Sequence, residues 1–398
     1  MDMRKNGINR ELTAISGGIC APAGFKANGV ACSGGERFSL VLTDGRYPAA
    51  FAFPSRGLCG ASVLHNKNRL QSGYARAIVV NVGSANVANS ALPAIKKLAL
   101  AVSDAARITE SEIAVASTGV IGRMIQTENV LPFVDGLVKG ATSSEEKSLQ
   151  AAQALTTEGG AGKDLAFSFQ LGDFTCKIGA VFKGNQRVCP NLATFLCFFT
   201  TDTNISPAML KKALLSVTAD TFNQLDIDGV SSPNDTVGII ASGKAGNYQI
   251  NCADGEYEKF VYALRQVAAR VCLAVANTEN NRAFSCVVSG VKSKSAARVI
   301  AKSVVGANAI KRSILKNSLE TDDVLCAACC AGEQVDIQTV TLWVSSAQGE
   351  LTLFENGERI NVAESVKTRV MAGEELVISL DFAKGNYMAT AIGRADII

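Results

Sequence analysis

The chain contains a single histidine, His65, and this limits the nucleophilic chemistry open to it. A Ser–His–Asp or Cys–His mechanism needs an imidazole to take the proton from the nucleophile. Any such mechanism would therefore run through His65, which lies in residues 62–67 without a recognisable nucleophile context. We interpret His65 as structural, so catalysis must use a different base.

A threonine at a newly formed N-terminus carries its own base. The α-amino group of such a residue has a reference pKa of about 8. A fair fraction of it is therefore neutral at cellular pH and can take the hydroxyl proton. Thr194 suits this chemistry, because it begins an apolar segment and follows the small residue Ala193, whose carbonyl its hydroxyl can attack, but these features alone do not single it out. Composition alone favours a packing role, since threonine is common in strands.

The twelve cysteines form no recognisable metal or redox site. In a reducing compartment, isolated cysteines among small or apolar residues are mostly buried thiols. Eight cysteines fit this description: Cys20, Cys32, Cys59, Cys176, Cys197, Cys252, Cys272 and Cys286. A CxxC pair such as the one in Cys326, Cys329 and Cys330 can be redox-active or half of a metal site. Because no second CxxC or nearby histidine completes a site, we interpret these three as core thiols and predict no bound metal.

The candidate residues must be positioned by apolar segments that are separated by glycine residues. Residues 77–82 and 112–117 are predicted strands, and the second leads into Thr118-Gly119, which alone is typical of a turn at a strand end. The other predicted elements are helices 90–107 and 145–155, a hairpin of strands 166–171 and 174–182, strand 194–200, a helix starting at Ser206-Pro207, helices around 260–271 and 296–305, and strands 335–345, 350–354 and 375–382. This mixture predicts an α/β or α+β sandwich.

Length and composition are those of a globular protein: 398 residues, 47% hydrophobic and 19% charged. The net charge is +3 and the basic residues are scattered, so we expect neither a nucleic-acid nor a membrane partner. The first residues carry no apolar stretch typical of a signal peptide, and no segment approaches the length of a membrane span. We therefore expect a cytoplasmic protein.

Several short motifs occur in one order along nearly the whole chain. They are residues 17–26, 29–32, 76–81, 85–86, 116–122, 190–194, 199–202, 228–229, 234–237 and 245–247. With these motifs the sequence resembles the ornithine acetyltransferase family, also called glutamate N-acetyltransferase, of arginine biosynthesis.

The resemblance implies a layered helix–sheet–sheet–helix sandwich and a precursor that cleaves itself between Ala193 and Thr194. Residues 1–193 would form an α chain and residues 194–398 a β chain, and the two would remain together as a heterotetramer. Thr194 would take acetyl from N-acetylornithine and pass it to glutamate by a ping-pong mechanism. The mechanism needs no cofactor, and the sequence leaves open whether acetyl-CoA also serves as donor.

The resemblance also assigns roles to other residues. The Thr118 hydroxyl and the Gly119 N–H would form an oxyanion hole, where negative charge develops in the transition state. The implied substrate-binding residues are Thr156 or its neighbour Thr157, Lys183, Glu279 and Thr194. For Lys183 and Glu279 the alternative is an ordinary loop residue.

The sequence departs from the family pattern chiefly where the family binds the amino acid. The family's Gly-Ser-Gly after the lysine is Gly184-Asn185-Gln186 here, its Pro-Asn-Trp-Gly-Arg is replaced by residues 317–326, its Gly-Asn-Ala-Asn is Gly83-Ser84-Ala85-Asn86, and the tail expected after Ile398 is absent. We therefore expect the nucleophile and oxyanion parts to be kept and amino-acid recognition to be altered. Two alternatives stay open: an amidohydrolase or acyltransferase that uses the same threonine on another N-acyl substrate, and a non-catalytic paralogue that acts as an assembly or binding subunit.

Overall fold

The computed structural model describes residues 12–54, 59–156, 163–183, 195–227, 229, 231–277, 281–332 and 336–396. The chain divides into two compact units. The first unit comprises Met1–Ser216 and Ser231–Val267, and the second comprises Val217–Val230 and Ala268–Ile398. Among the described residues, no helix is long and apolar enough to cross a membrane.

The helices and strands follow in chain order. The helices are α1 (Ala61–Arg69), α2 (Leu92–Ala106), α3 (Thr127–Val130), α4 (Val134–Lys139), α5 (Glu145–Ala154), α6 (Pro207–Asp220), α7 (Gly255–Ala276), α8 (Lys294–Gly306), α9 (Asn308–Leu315), α10 (Thr321–Cys329) and α11 (Glu364–Ala372). The strands are β1 (Thr13–Ile15), β2 (Phe25–Ala31), β3 (Arg37–Ala52), β4 (Tyr74–Ser84), β5 (Ile113–Val120), β6 (Lys163–Leu171), β7 (Phe174–Lys183), β8 (Leu196–Thr201), β9 (Leu225–Asp226), β10 (Thr236–Ala241), β11 (Asn281–Val291), β12 (Thr341–Ser346), β13 (Gly349–Glu355), β14 (Glu358–Arg359), β15 (Val377–Asp381) and β16 (Tyr387–Asp396).

The first unit is built on a sheet with the strand order β1-β6-β7-β8-β10-β3-β4-β5, and β2 pairs with β3 beside this path. Helices cover both faces. In β4, Ile78 and Val80 join the core that contains α5 residues, whereas Ala77 and Val79 join the core that contains α2 and α4 residues. A strand buried on both faces is apolar throughout rather than alternating, which explains the continuous apolar run of residues 77–80.

The second unit has a separate sheet with the order β14-β13-β12-β15-β11-β16-β9. Helix α8 begins at Ser293, whose hydroxyl accepts a hydrogen bond from the Ala296 N–H at 3.0 Å. Such a cap satisfies one of the amide groups that the first turn leaves free. The buried face of α8 then packs Ile300 and Val304 into the apolar core of this unit.

The mixed α/β class predicted from the sequence is confirmed. The predicted hairpin is β6–β7, joined at Leu171 and Phe174, and the predicted helix after Ser206 is α6, with the Ser206 hydroxyl accepting from the Met209 N–H at 3.4 Å. The predicted boundary at Ala193 and Thr194 lies outside the described residues, so the α-chain and β-chain division stays a prediction.

The core interpretation of the cysteine group in α10 is wrong. Cys326, Cys329 and Cys330 are exposed. They are three and four residues apart and therefore share one face of the helix, while Val324, Leu325, Ala327 and Ala328 form its buried face. Of the isolated cysteines, Cys252 is also exposed and Cys32 and Cys59 are partly exposed, whereas the other five are buried.

Candidate active site

Thr118 and Lys183 meet in the first unit, although 65 residues separate them in the sequence. The Lys183 ammonium donates a hydrogen bond to the Thr118 Oγ1 at 2.5 Å. Thr118 is fully buried and Lys183 is 8% exposed. Both residues stand at strand ends, Thr118 near the end of β5 and Lys183 as the last residue of β7. The structure thus brings together two of the residues that the resemblance assigned to the site.

This contact requires the sheet to curl. Four strands, β8, β10, β3 and β4, lie between β7 and β5 in the strand order, so in a flat sheet these two strands would be about 24 Å apart. No lysine side chain spans that distance. The long strand β3 supplies a bend, because its pairing with β4 shifts register between Leu42 and Tyr47. A bulge of this kind bends and twists a strand.

Burial lowers the pKa of Lys183 to about 8, and desolvation is the cause. Within the described residues, no carboxylate forms an ion pair with its ammonium group. A buried lysine with a lowered pKa, held against a hydroxyl group, is a common arrangement in catalytic sites. The hydrogen bond occupies a lone pair of the Thr118 oxygen and polarises its O–H, so the hydroxyl proton becomes a better donor to a third group.

Gly119 lies opposite Gly83 in the parallel β4–β5 ladder, and the two backbones approach closely. Gly119 has a φ of 142°, and a Cβ at this position would lie 2.2 Å from the carbonyl carbon and oxygen of Gly83. A side chain therefore cannot be placed there without moving the strand end. The glycine at this position is required by geometry, which keeps backbone groups unobstructed next to Thr118.

A buried polar network fixes the ends of β4 and β5. The Glu36 carboxylate accepts hydrogen bonds from the Asn81 amide and the Ser84 hydroxyl. The Asn86 amide donates to Asn81 Oδ1 at 2.8 Å and to Ser117 Oγ at 3.2 Å. Since buried polar groups in a satisfied network are held in one arrangement, these bonds hold Ser117, and with it the following Thr118-Gly119, in place.

The entry into β8 is anchored by Asp235. The Phe195 N–H donates to Asp235 Oδ1 at 2.8 Å, and the Phe195 carbonyl accepts from the Thr236 N–H at 3.0 Å. The neighbouring Asn234 donates from its side chain to the Ala85 carbonyl at 2.6 Å, in the loop after β4. The segment around 234–236 thus connects the start of β8 to the end of β4.

The remaining predicted site residues divide into one that is described and several that are not. Thr156 is 4% exposed and its hydroxyl donates to the Gln153 carbonyl at 3.0 Å, at the end of α5. The predicted nucleophile, its cleavage partner, the alternative threonine, the predicted glutamate and the altered loop lie outside the described residues: Ala193, Thr194, Thr157, Glu279 and Gly184-Asn185-Gln186.

The environment of His65 agrees with a structural interpretation. Its side chain is 2% exposed, and within the described part of the chain neither ring nitrogen has a hydrogen-bond partner. Burial lowers the pKa of His65, which keeps the imidazole neutral. No group of three or more His, Cys, Asp or Glu side chains suited to a metal ion occurs among the described residues.

Sequence reasoning missed Glu36 and Asp235 as parts of the site. Glu36 stands in a polar segment without a motif, and its partners Asn81 and Ser84 are more than forty residues away. Asp235 belongs to a recognised motif, but nothing in the sequence connected it to the residue that follows Thr194. In both cases the missing signal is long-range pairing, which a single sequence does not contain.

Comparison with known proteins identifies relatives over almost the full length. The ArgJ family model matches residues 23–396. The arginine biosynthesis bifunctional protein ArgJ of Symbiobacterium thermophilum is 32% identical, with 95% of each chain covered. The glutamate N-acetyltransferase of Methanosarcina acetivorans is 30% identical, with 96% of each covered. The crystal structure of ArgJ from Bacillus halodurans is 25% identical, with a TM-score of 0.46, and the match covers 50% of this chain and 93% of that one. The family matches confirm the resemblance inferred from the motifs and the prediction of an acyltransferase.

Proposed function

Because the chain belongs to the ArgJ family, we propose that it is a glutamate N-acetyltransferase that moves acetyl from N-acetylornithine to glutamate through an acetyl-Thr194 intermediate. The names of the relatives supply the reaction class. The observation that carries the proposal is the hydrogen bond between the Lys183 ammonium and Thr118 Oγ1, beside Gly119. It joins the groups that a transferase of this kind needs to stabilise an oxyanion.

Self-cleavage would come first. The Thr194 hydroxyl attacks the Ala193 carbonyl, the peptide C–N bond breaks, and Ala193 is left as an ester on the threonine oxygen. Water then hydrolyses this ester, which gives a carboxylate on Ala193 and a free α-amino group on Thr194. The bonds that hold Phe195 to Asp235 and Thr236 support this step, since they fix the backbone immediately after the nucleophile.

Acetyl transfer would follow in two half-reactions. The Thr194 amine takes the hydroxyl proton while the oxygen attacks the acetyl carbonyl of N-acetylornithine, and ornithine leaves with that proton. The neutral amine of glutamate then attacks the acetyl carbon, the ester bond to Thr194 breaks, and the proton that the amine loses returns to the Thr194 oxygen through the Thr194 amine, so that N-acetylglutamate leaves. In each half-reaction the Thr118 hydroxyl and the Gly119 N–H would donate to the negatively charged oxygen, and Lys183 would increase the donor strength of Thr118.

Substrate recognition, assembly and cofactor use are part of the same proposal. Lys183, Thr156, Glu279 and Thr194 would contact the amino-acid substrate, and the α and β chains would assemble as a heterotetramer. No cofactor enters the steps above, and acetyl-CoA is an alternative donor to be tested in the same assay.

The test uses purified protein and the Thr194→Ala variant. The wild type should separate into two fragments on a denaturing gel and transfer acetyl from N-acetylornithine to glutamate, whereas the variant should remain one band without turnover. Hydrolysis of N-acyl substrates without transfer to glutamate would favour the amidohydrolase alternative. A single intact wild-type band without activity would favour the non-catalytic alternative, and normal turnover by Thr194→Ala would exclude Thr194 as nucleophile.

A further inference from the structure

A cavity of about 300 Å³ lies in the first unit beside the polar network. It is lined by the segment before β3 and by the segment that follows β5, including Ser33, Glu36, Arg123, Met124, Gln126 and Asn129. Thr118, Gly119 and Lys183 do not line it. The cavity is therefore a separate feature from the oxyanion-hole residues.

The carboxylate in this cavity is buried among neutral hydrogen-bond donors. Glu36 is 7% exposed, and its described hydrogen bonds come from Asn81 and Ser84. In the part of the chain that the structure describes, no lysine or arginine forms an ion pair with it. A buried carboxylate that has only neutral donors as partners is costly, so a cationic group of a ligand would be favoured beside it.

The same cavity also carries an opposite charge. Arg123 is exposed at the rim, and among the described residues its guanidinium forms no ion pair, with Glu36 or with any other carboxylate. The amide side chains of Gln126 and Asn129 provide further donors beside it. One cavity thus offers an anion and a cation that do not neutralise each other.

We propose that this cavity binds a free α-amino acid, with the ligand's ammonium group on Glu36 and its carboxylate on Arg123. A zwitterion places both charges on one small molecule, and guanidinium–carboxylate pairs are among the stronger and more directional hydrogen-bonded contacts. The volume is at the lower end of the range for small-molecule sites, which suits one amino acid better than a nucleotide. Met124 supplies an apolar contact for its side chain.

A ligand bound in this cavity would affect the end of β4, which pairs with the end of β5 where the proposed oxyanion-hole residues lie. A Cβ placed on Gly83 would lie 2.7 Å from the Glu36 carboxylate, and Gly83 pairs with Gly119. A ligand whose ammonium group pairs with the Glu36 carboxylate therefore acts on groups next to the Gly83–Gly119 pair. This regulatory consequence rests on the proposed function, whereas the binding does not.

The binding is tested with the full-length protein and the standard L-α-amino acids as probes. Thermal unfolding at pH 7 selects the amino acids that stabilise the protein, and titration calorimetry measures their affinity. The decarboxylated amine and the N-acetyl derivative of each hit, which lack one of the two charges, should bind at least tenfold more weakly. Arg123→Met should weaken binding about 10- to 100-fold, and Glu36→Gln should do the same.

Two control variants show whether the loss of binding is specific to this cavity. Arg369→Met removes an exposed arginine in the second unit and should leave the affinity unchanged. Lys183→Met in the proposed active site should also leave it unchanged for every hit except glutamate, which is the proposed acceptor at that site. Because Arg123 is exposed, its variant should fold even if Glu36→Gln does not. The proposal is overturned if no standard amino acid shows binding that depends on Arg123, if Arg123→Met binds the hit as tightly as wild type, or if Lys183→Met abolishes binding of a hit other than glutamate.

Discussion

The two units differ in whether their buried charged side chains have an ion-pair partner. In the second unit, Asp226 and Lys311 are 12% and 13% exposed and form an ion pair at 2.9 Å. In the first unit, Glu36 and Lys183 are at least as buried, and no opposite charge pairs with either of them among the described residues. Removing one partner of a buried ion pair destabilises the fold, whereas an unpaired buried charge itself lowers stability and is a candidate for a functional site. Removing a charge should therefore have opposite consequences in the two units.

The largest effect is expected from Gly119→Ala, which disturbs the functional region without changing any charge. The new Cβ would meet the Gly83 backbone at 2.2 Å, so the strand end, which carries the proposed oxyanion-hole donors, must move. We expect kcat to fall by more than about 10³-fold, measured as acetyl transfer by the folded fraction. The matched control is Gly136→Ala in α4, where a Cβ meets nothing within 4 Å; equal losses in both variants would contradict this role of Gly119.

Thr118→Val removes the proposed oxyanion donor and keeps the side-chain shape. Since loss of one such donor typically costs about 10²- to 10³-fold in kcat, we expect a drop of that size with little change in KM. Thr118→Ser keeps the hydroxyl and should restore most of the rate. If Val and Ser variants were equally active, the hydroxyl would have no part in catalysis.

Lys311→Met tests the second unit, where charge is paired. The substitution leaves Asp226 buried without its partner, and breaking a buried pair in this way costs about 3 kcal/mol of unfolding free energy. Chemical denaturation should show this loss, while kcat per folded molecule stays at the wild-type value. A large fall in kcat at unchanged stability would remove the distinction between the two units.

Lys183→Met is the corresponding change in the first unit, and its effect on stability should have the opposite sign. Burial lowers the pKa of Lys183 from 10.5 to about 8, so below pH 8 the folded state bears the full penalty of a buried charge, about 3 kcal/mol at most. As the pH rises from 8 to 10.5, the folded state loses its proton before the unfolded state does, and the penalty disappears. The variant should therefore be more stable than wild type at pH 7 and equally stable above pH 10.5.

The same titration predicts the pH dependence of the reaction. The pH profile of wild-type acetyl transfer should be bell-shaped. The rate should rise as the Thr194 amine becomes neutral and able to act as the base, and it should decline at higher pH because Lys183, with a pKa of about 8, loses the charge that polarises Thr118. Lys183→Arg keeps a charge at higher pH and should extend the active range upward. A Lys183→Met enzyme that is less stable at pH 7, or that shows the wild-type decline, would refute this interpretation of Lys183.

The sequence predicted β4 and β5, which are largely apolar, and missed β3, whose pattern is interrupted. Residues 77–80 and 113–116 are apolar because both faces of β4 and β5 are covered, so their strands were evident. Strand β3 was missed, since its bulge between Leu42 and Tyr47 includes the polar run Thr43-Asp44-Gly45. The cysteines of α10 were misjudged because composition was considered without the helical period that places them on the exposed face.

The site was predictable only in part for a related reason. Thr118, Gly119 and Lys183 came from local motifs of the family, and the structure places Thr118 against Lys183. Glu36 and Asp235 had no such signal, because their importance lies in contacts with distant strands. The curl of the sheet brings β7 close to β5. It depends on strand pairing across the whole first unit, so no single segment of the sequence predicts it.

The most direct test of the account is the mass of the two fragments after incubation with N-acetylornithine and without glutamate. We expect a fragment that begins at Thr194 and carries one acetyl group, which glutamate then removes with formation of N-acetylglutamate. An uncleaved chain that nevertheless transfers acetyl, or a cleaved fragment that never acquires an acetyl group during turnover, would contradict it.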